Sequence, residues 1–146
     1  MAHGEASVLI RRPAKEILDF VMDLQRYREV DDKIGPIRWL QREGDTVTFR
    51  FRPRLLGLPG PSTTQRVVRT GDERIDITPV PSWQDRILRF KGTFTCADHP
   101  DGTVVTRRLD FDFSRPLAVA LDSVVTRWLG GDVPRELAAV KARLEG

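Results

Sequence analysis

Residues 88–113 constrain the fold most, because only one pairing of their two halves satisfies both the apolar and the charged side chains. The stretch His99-Pro100-Asp101-Gly102 starts turns and tolerates positive φ, so it predicts a hairpin loop. In the register that this loop imposes, Phe90 faces Phe111 on one side, while basic residues face aspartates on the other. A shift by one residue would place phenylalanine against aspartate throughout. The segment is therefore predicted to be an antiparallel hairpin with one apolar face.

The rest of the chain reads as a strand, two helices, further strands and a long helix. Alternation predicts a strand over 5–12, and apolar spacing predicts a helix over 13–24 and a short helix over 25–34. Turn residues at 43–45 and 71–72 add two hairpins, so residues 37–113 contain six strands. From Pro116 the apolar period becomes helical, with a kink or break expected near Pro134 and Asp132 as a new N-cap.

Length and composition fit one compact domain over residues 1–146. A chain of 146 residues and 16.6 kDa with 40% hydrophobic and 31% charged residues is in the ordinary globular range. The single cysteine, Cys96, excludes an internal disulfide, and the N-terminal stretch lacks the apolar core of a signal peptide. No apolar run approaches the roughly 20 residues of a membrane span. We therefore expect a cytoplasmic protein.

This element order predicts an α+β protein with an antiparallel sheet and segregated helices. The stretches Val8–Val21, Asp23–Tyr27 and Glu136–Glu145 resemble those of the Bet v 1-like START superfamily, within it the polyketide cyclase/dehydrase and lipid-transport group known as SRPBCC proteins. The resemblance implies a helix-grip fold, in which a seven-stranded curved sheet surrounds a long C-terminal helix and two short helices follow the first strand. It also implies a hollow between sheet and helix, which relatives use for lipids, polyketides and other apolar molecules.

Strand alternation and the roof helix together define the candidate lining of that hollow. The alternative is that the same apolar face forms a filled core. The predicted ligand-binding residues are Trp39, Phe49, Phe51, Phe90, Phe94, Arg107, Leu109, Phe111, Leu121, Val124 and Trp128. Gly92, opposite Leu109, removes a side chain in mid-strand and would open space or allow a bend.

Arg107 is the anomaly in this lining, since the register places it on the inner face opposite Phe94. A buried charge is costly unless it is paired or hydrogen-bonded. Two interpretations remain open: a structural ion pair with an acid such as Asp122 on the roof helix, or an anchor for a ligand carboxylate or phosphate. A two-residue turn at 71–72 would also point Arg66 inward, opposite Ile77.

The sequence supports catalysis poorly, and no catalytic residue, metal site or cofactor is predicted. His3 lies near the terminus and His99 lies in a turn, so neither has an evident place in a pocket. These two histidines and one cysteine assemble no metal cluster. Cys96 fits an apolar filler better than a nucleophile, because no histidine partner is evident.

Two surface features remain. The leucines of the turn after the third strand, predicted to gate the hollow, are Leu55, Leu56 and Leu58; the arginines predicted to form a basic face are Arg38, Arg42, Arg50, Arg52 and Arg54. A basic face beside an apolar tip is expected of a protein that touches anionic lipid, whereas packed leucines and solvated arginines are the alternative. No recognised motif for sequence-specific nucleic-acid binding accompanies the patch.

These observations favour the binding or transport of an apolar or amphipathic small molecule, with a non-enzymatic role preferred. Two alternatives are a cofactor-free polyketide cyclase or dehydratase that uses the same hollow, and a regulatory or toxin-like module that acts through the basic face.

Overall fold

The computed structural model describes residues 1–81 and 88–146. Its elements in chain order are β1 (Ala2–Ile10), α1 (Ala14–Met22), α2 (Leu24–Tyr27), β2 (Ile34–Glu43), β3 (Thr46–Leu55), β4 (Leu58–Pro59), β5 (Thr63–Thr70), β6 (Arg74–Pro79), β7 (Leu88–His99), β8 (Gly102–Phe113) and α3 (Arg115–Glu145). The α+β class, the antiparallel sheet and the long C-terminal helix are as predicted. Helix α2 is shorter than predicted.

The sheet is antiparallel, with the strand order β1-β8-β7-β6-β5-β3-β2, and the short strand β4 pairs only with β3. Helix α3 packs against β1 and β8 at one end of this order. The contact is close at Gly4, where an added Cβ atom would lie 2.6 Å from Cβ of Leu129. Glycine at this position therefore lets the helix approach the sheet.

The predicted register of the β7–β8 hairpin is confirmed, since Phe90 pairs with Phe111 and Phe94 with Arg107. The outer face also has the predicted pairing, since Lys91 lies opposite Asp110 and Arg89 lies opposite Asp112. The Asp110 carboxylate also accepts from Nε of Arg108, 3.0 Å away and two residues along the same strand.

The β5–β6 turn differs by one residue from the prediction. Thr70 pairs with Arg74, so three residues rather than two form the loop. Arg66 therefore lies opposite Thr78 and is exposed, which corrects its predicted inward position. Val67 is buried on the inner face in its place.

Helix α3 is one continuous helix from Arg115 to Glu145, with Pro134 inside it, so a break there was wrongly predicted. Asp132 is not an N-cap but a buried residue within the helix. The buried stripe of the helix consists of Val125, Leu129, Val133, Leu137 and Val140. In the described residues, no helix combines the length and the apolar composition needed to cross a membrane.

Candidate functional site

A small apolar cavity lies between the inner face of the sheet and helices α1 and α2. Its volume is about 40 Å³. Its lining is Val21, Leu24, Tyr27, Asp31, Lys33, Ile34, Phe49, Phe51, Pro53, Leu55, Ile77, Phe90, Phe94, Arg107, Leu109 and Phe111. A water needs roughly 10–15 Å³ by this measure, so the cavity has room for a few waters. The hollow is thus largely filled by its own side chains.

Aromatic rings from three strands, β3, β7 and β8, form much of the cavity wall. The ring of Phe49 stacks on Phe51 with centroids 4.7 Å apart, and Phe90 stacks on Phe111 at 5.4 Å. Phe51 and Phe90 join the two pairs edge to face, with centroids 6.5 Å apart. This series of rings offers a flat, apolar surface to an occupant.

Arg107 enters this apolar wall from β8, with its side chain almost completely buried. Its guanidinium lies over the Phe94 ring, 4.2 Å from the centroid, which is a cation–π contact. The space comes from Gly92 on the neighbouring strand, because a Cβ atom there would lie 2.9 Å from Nη1 of Arg107. The guanidinium therefore occupies the room that the missing side chain of Gly92 leaves.

The charge of Arg107 is balanced by carboxylates, but its hydrogen-bond donors are not all used. Its Nε lies 3.2 Å from Oε2 of Glu136, and its Nη2 lies 3.9 Å from Oδ2 of Asp31. These are ion-pair distances, but neither Nε nor Nη1 makes a hydrogen bond within the described part of the chain. The predicted partner Asp122 is engaged elsewhere, by the N-terminal amine of Met1 at 2.7 Å. A buried, charged donor in the cavity wall is therefore left with unused hydrogen-bonding capacity.

Beside Arg107 lies a buried ionic cluster built around Lys33. The Lys33 ammonium lies 2.8 Å from carboxylate oxygens of both Asp31 and Glu136, and it also contacts Asp132. The Tyr27 hydroxyl donates to Glu136 as well. The cluster thus joins the loop before β2 to helix α3, and it lies between the apolar cavity and a polar surface cleft that Asp31 also lines.

The environment of the cluster shifts the pKa values of its members. Burial, followed by repulsion from Glu136, raises the pKa of Asp31 from 3.8 to about 6. Burial also acts to raise the pKa of Glu136, but Arg107 and Lys33 outweigh it and lower that pKa. Burial and Glu136 raise the pKa of Tyr27 well above its ordinary value, so the phenol is neutral near pH 7.

The carboxylates of the cluster also have a spacing suited to a metal ion. Asp31, Asp132 and Glu136 each offer one oxygen, all within 4.8 Å of one another. The Lys33 ammonium contacts all of them, however, and therefore takes the place of a cation. Its pKa is raised, because Asp31 and Glu136 outweigh the opposing effect of burial, so the ammonium keeps its charge.

The structure brings together most but not all of the predicted lining. The residues that line the cavity as expected are Phe49, Phe51, Phe90, Phe94, Arg107, Leu109 and Phe111. Trp39 does not, since its side chain is 42% exposed. An irregularity in the β2–β3 pairing between Ile37 and Trp39 changes the alternation, so that Leu40 rather than Trp39 packs on the core.

The predicted roof is also displaced. Val124 is 49% exposed, and the neighbouring Val125 is buried instead. Leu121 and Trp128 of α3 pack against the part of the core around Leu109 and Phe111, without lining the cavity. In the first half of α3 the buried stripe is therefore offset by one residue from the predicted one, whereas Val133, Leu137 and Val140 in the second half are buried as the helical spacing predicts.

Most of the residues predicted to form the gate and the basic face are exposed. Leu55 lines the cavity, whereas Leu56 and Leu58 are 38% and 67% exposed. Arg38, Arg42, Arg52 and Arg54 are exposed and Arg50 is half-buried. Arg42 does not share the outer face as predicted, because it lies opposite the buried Val47 and on the same side of β2 as Leu40. Cys96 packs partly buried against the core, and burial raises its thiol pKa to about 11. That shift fits the filler role and leaves little thiolate at neutral pH.

Sequence reasoning missed the ionic cluster, whose members outside the predicted set are Tyr27, Asp31, Lys33, Asp132 and Glu136. One signal was present in α3. Asp132 and Glu136 are four residues apart and directly precede Val133 and Leu137, which belong to the buried stripe. Two acids on an apolar helix face require cationic partners inside the protein.

Comparison with protein families agrees with this architecture. The family model described as "Polyketide cyclase / dehydrase and lipid transport" matches residues 1–145. The chain belongs to this family. Among proteins with curated descriptions, none matches the chain.

Solved structures share the fold at low sequence identity. A Thermus thermophilus protein superposes with a TM-score of 0.80 at 16% identity, covering 98% of this chain and 97% of its own. A START superfamily protein from Mycobacterium smegmatis has a TM-score of 0.74 and 20% identity over 99% of this chain and 98% of its own. An aromatase/cyclase from Streptomyces has a TM-score of 0.72 and 14% identity over 98% and 93%. The chain therefore has the START-type helix-grip fold, and its family supports a role in binding hydrophobic ligands.

Proposed function

We propose that this protein binds an amphipathic small molecule, with an acyl or aromatic body in the apolar cavity and a polar end group at Arg107. One observation carries the proposal: Arg107 is a buried guanidinium in the wall of a mainly apolar cavity, and its Nη1 has no hydrogen-bond partner among the described residues. A carboxylate, sulfonate or phosphate would satisfy this donor, and charge-assisted bonds of this kind are strong.

The ligand must enlarge the cavity to enter. Pockets for organic ligands have volumes of about 300–1,000 Å³, several times the present volume. The wall best placed to move is the end of β3, where Pro53 and Leu55 line the cavity. Beyond that end the sheet continues only as the two-residue strand β4, which pairs with β3 alone. In this proposal Leu55 is the inner part of the gate, and Leu56 and Leu58 are its outer part.

Two fluorescent probes that differ in charge test the anchor. Anilinonaphthalene sulfonate carries an anionic group on the same aromatic scaffold as the uncharged N-phenyl-1-naphthylamine. Replacing Arg107 with Gln removes the charged donor, so the sulfonate probe is expected to bind about tenfold or more weakly. The uncharged probe should bind with little change.

The Arg107→Gln substitution also unbalances the ionic cluster, and a matched variant corrects for this. Asp31→Asn/Arg107→Gln removes one charge of each sign, so the net charge of the cluster stays as in the wild type. Asp31→Asn alone is the control, and it should keep the affinity for the sulfonate probe. Equal loss of both probes in the double variant, or unchanged binding of the sulfonate, would show that Arg107 is not the anchor.

Native mass spectrometry of the freshly purified protein tests the cavity itself. We expect a bound compound with an acidic or otherwise anionic end group, released on denaturation. An Ile77→Phe variant, which fills the cavity from its wall, should neither retain that compound nor bind either probe. Retention of both by a folded Ile77→Phe protein would place the ligand outside the cavity.

A cofactor-free cyclase or dehydratase is the second candidate, and Asp31 is the observation that favours it. Asp31 lines the cavity, and its pKa of about 6 lies in the range of a general acid or base near neutral pH. Binding is the stronger candidate, because Lys33 already engages the Asp31 carboxylate at 2.8 Å. An enzyme would release a product that differs chemically from the compound supplied, and Asp31→Asn would abolish that conversion. A carrier would return the compound unchanged.

A further inference from the structure

The tip of the β3–β4 hairpin exposes apolar side chains that contribute little to the core. Leu56 and Leu58 are 38% and 67% exposed, and on the facing helix Val124 is 49% exposed. Leu56 and Val124, together with Trp128 of α3, line one groove between hairpin and helix. We call Leu56, Leu58 and Val124 the tip patch.

The backbone of Leu56 is a second, independent observation. Leu55 pairs with Leu58, so Leu56 and Gly57 form the two-residue turn, with φ values of 56° and 76°. Asparagine and glycine favour turns with positive φ at both central positions, whereas a leucine there is disfavoured. Leu56 is the only residue other than glycine with positive φ in the described part of the chain. An exposed leucine in a strained conformation indicates a role for its side chain outside the fold.

The charged side chains on the strands beside the tip patch are all basic. Residues 46–70 contain five arginines and no acidic residue. Arg52 and Arg54 lie on β3 at the base of the tip, and Arg127 of α3 lines the groove. Within the described ranges, none of these three forms an ion pair with a carboxylate.

Some exposed arginines elsewhere do have such partners: Arg74 pairs with Asp76 at 2.9 Å, Arg108 with Asp110 at 3.0 Å, and Arg143 with Glu29 at 2.9 Å. Exposed arginines without an ion pair among the described residues also occur away from the tip, for example Arg11 and Arg135. The tip is therefore distinguished by the high density of arginines in residues 46–70 and by the absence of acidic residues from that stretch. An anionic partner would supply the missing charge.

We propose that the tip patch docks onto the surface of an anionic phospholipid bilayer, with Leu56 and Leu58 inserted among the lipids and Arg52, Arg54 and Arg127 against the headgroups. Exposed leucines on a projecting turn, surrounded by cations, fit the apolar interior and charged surface of a membrane. An acidic protein or a nucleic acid would satisfy the arginines but would leave the inserted leucines without a role.

Vesicle sedimentation tests the proposal with the full chain. The wild type should sediment with vesicles of phosphatidylcholine and phosphatidylglycerol, less so at high salt, and not with phosphatidylcholine alone. Leu56→Asn keeps a residue that tolerates positive φ and removes the apolar side chain. Combined with Leu58→Ser, it should weaken vesicle binding about tenfold or more while the protein remains folded.

A matched pair of arginine variants tests the orientation. Arg54 lies next to the tip, whereas Arg42 is an exposed arginine far from the tip, at the other end of the β2–β3 hairpin near the Gly44 turn. Arg54→Gln should weaken binding about fivefold and Arg42→Gln much less, because a headgroup layer attracts only the cations near it. Arg107→Gln should not change vesicle binding, which separates this proposal from the one about the cavity.

Several results would overturn the proposal. If the wild type did not sediment with anionic vesicles at low salt, the proposal would be refuted directly. Binding that survives the Leu56→Asn/Leu58→Ser change, or that falls equally with Arg42→Gln and Arg54→Gln, would indicate a diffuse electrostatic surface. Single-stranded RNA is a further competitor to test. If the protein bound RNA as tightly as the vesicles, and if the leucine substitutions did not weaken RNA binding, the arginines would belong to a nucleic-acid site instead.

Discussion

Removing the Lys33 ammonium should destabilise the protein strongly, and by an amount that depends on pH. The cluster holds the carboxylates of Asp31, Asp132 and Glu136 against the cations Lys33 and Arg107. In Lys33→Met the carboxylates remain buried with Arg107 alone, so the excess negative charge rises from about one to about two. Breaking a buried ion pair from one side costs about 3–5 kcal/mol.

This free energy converts to a large shift in melting temperature. Unfolding entropy is about 2.1 cal/mol/K per residue, or about 300 cal/mol/K for this chain, so 3–5 kcal/mol lowers Tm by roughly 10–16 °C. The loss should be smaller at about pH 5 than at about pH 8, because protonation of the carboxylates relieves their repulsion in the folded state. Circular dichroism melting at both pH values measures it.

Lys15→Met is the matched control for this substitution. The Lys15 ammonium also lies 2.8 Å from a carboxylate, that of Asp19, but its side chain is 72% exposed. Solvent screening makes such pairs weak, so Tm should change by less than about 3 °C. If Lys33→Met behaved like Lys15→Met at about pH 8, or lost the same amount at both pH values, the ionic cluster would not carry the stability assigned to it.

Four further substitutions test individual residues of the fold and the site. Folding raises the pKa of Asp31 from 3.8 to about 6. Between pH 3.8 and about 6, Asp31 is therefore protonated in the folded protein but ionised in the unfolded chain. Asp31 thus makes the free energy of unfolding decrease as the pH rises through this window. Asp31→Asn should remove that fall, which urea denaturation across the window would show; an unchanged pH dependence would contradict the shift. Gly92→Ala would place Cβ 2.9 Å from Nη1 of Arg107 and 3.0 Å from Cδ2 of Leu109, so it should cost about 1–3 kcal/mol and weaken binding of the sulfonate probe. Unaltered probe binding would mean that the guanidinium is free to move. Gly4→Ala should cost a similar amount because its Cβ would meet Leu129 at 2.6 Å, whereas Gly131→Ala, with no atom within 4 Å, should stabilise helix α3 by about 0.5–1 kcal/mol. Denaturant titration measures the change in the free energy of unfolding for each variant. If Gly4→Ala and Gly131→Ala changed it in the same direction, the close approach of α3 to β1 would be contradicted.

Local pairing was predictable where two independent patterns agreed. In the β7–β8 hairpin the apolar residues and the charges select the same register, and the structure has that register. In β2 only the alternation of side chains was available, and the irregularity between Ile37 and Trp39 reversed the orientation of Trp39. The β5–β6 turn failed for a similar reason, since one extra loop residue, Glu73, exchanged Arg66 for Val67 on the inner face. Turn length and bulges depend on backbone details that alternation does not encode.

The charged part of the candidate site was harder to predict because it forms between segments far apart in sequence. Arg107 was recognised as buried, but its partner Glu136 lies on α3, a separate element that comes close to β8 only in the folded chain. Lys33 lies in a short connecting segment, and nothing local shows that its ammonium is buried. Long-range ion pairs are fixed by how helix α3 crosses the sheet, and that geometry is a property of the folded chain.

Strand β3 connects the two proposals physically. Phe49, Phe51, Pro53 and Leu55 line the cavity, and the alternate residues Arg50, Arg52 and Arg54 form part of the outer basic face. Both sets share one backbone, so a displacement of the end of β3 moves the cavity wall and the tip together. Arg52 makes this coupling tight, because its Nε donates to the carbonyl oxygen of Gly60, 3.0 Å away, and so holds the tip to the strand. A bilayer that binds the tip would therefore act on the same residues that must move before a ligand can enter.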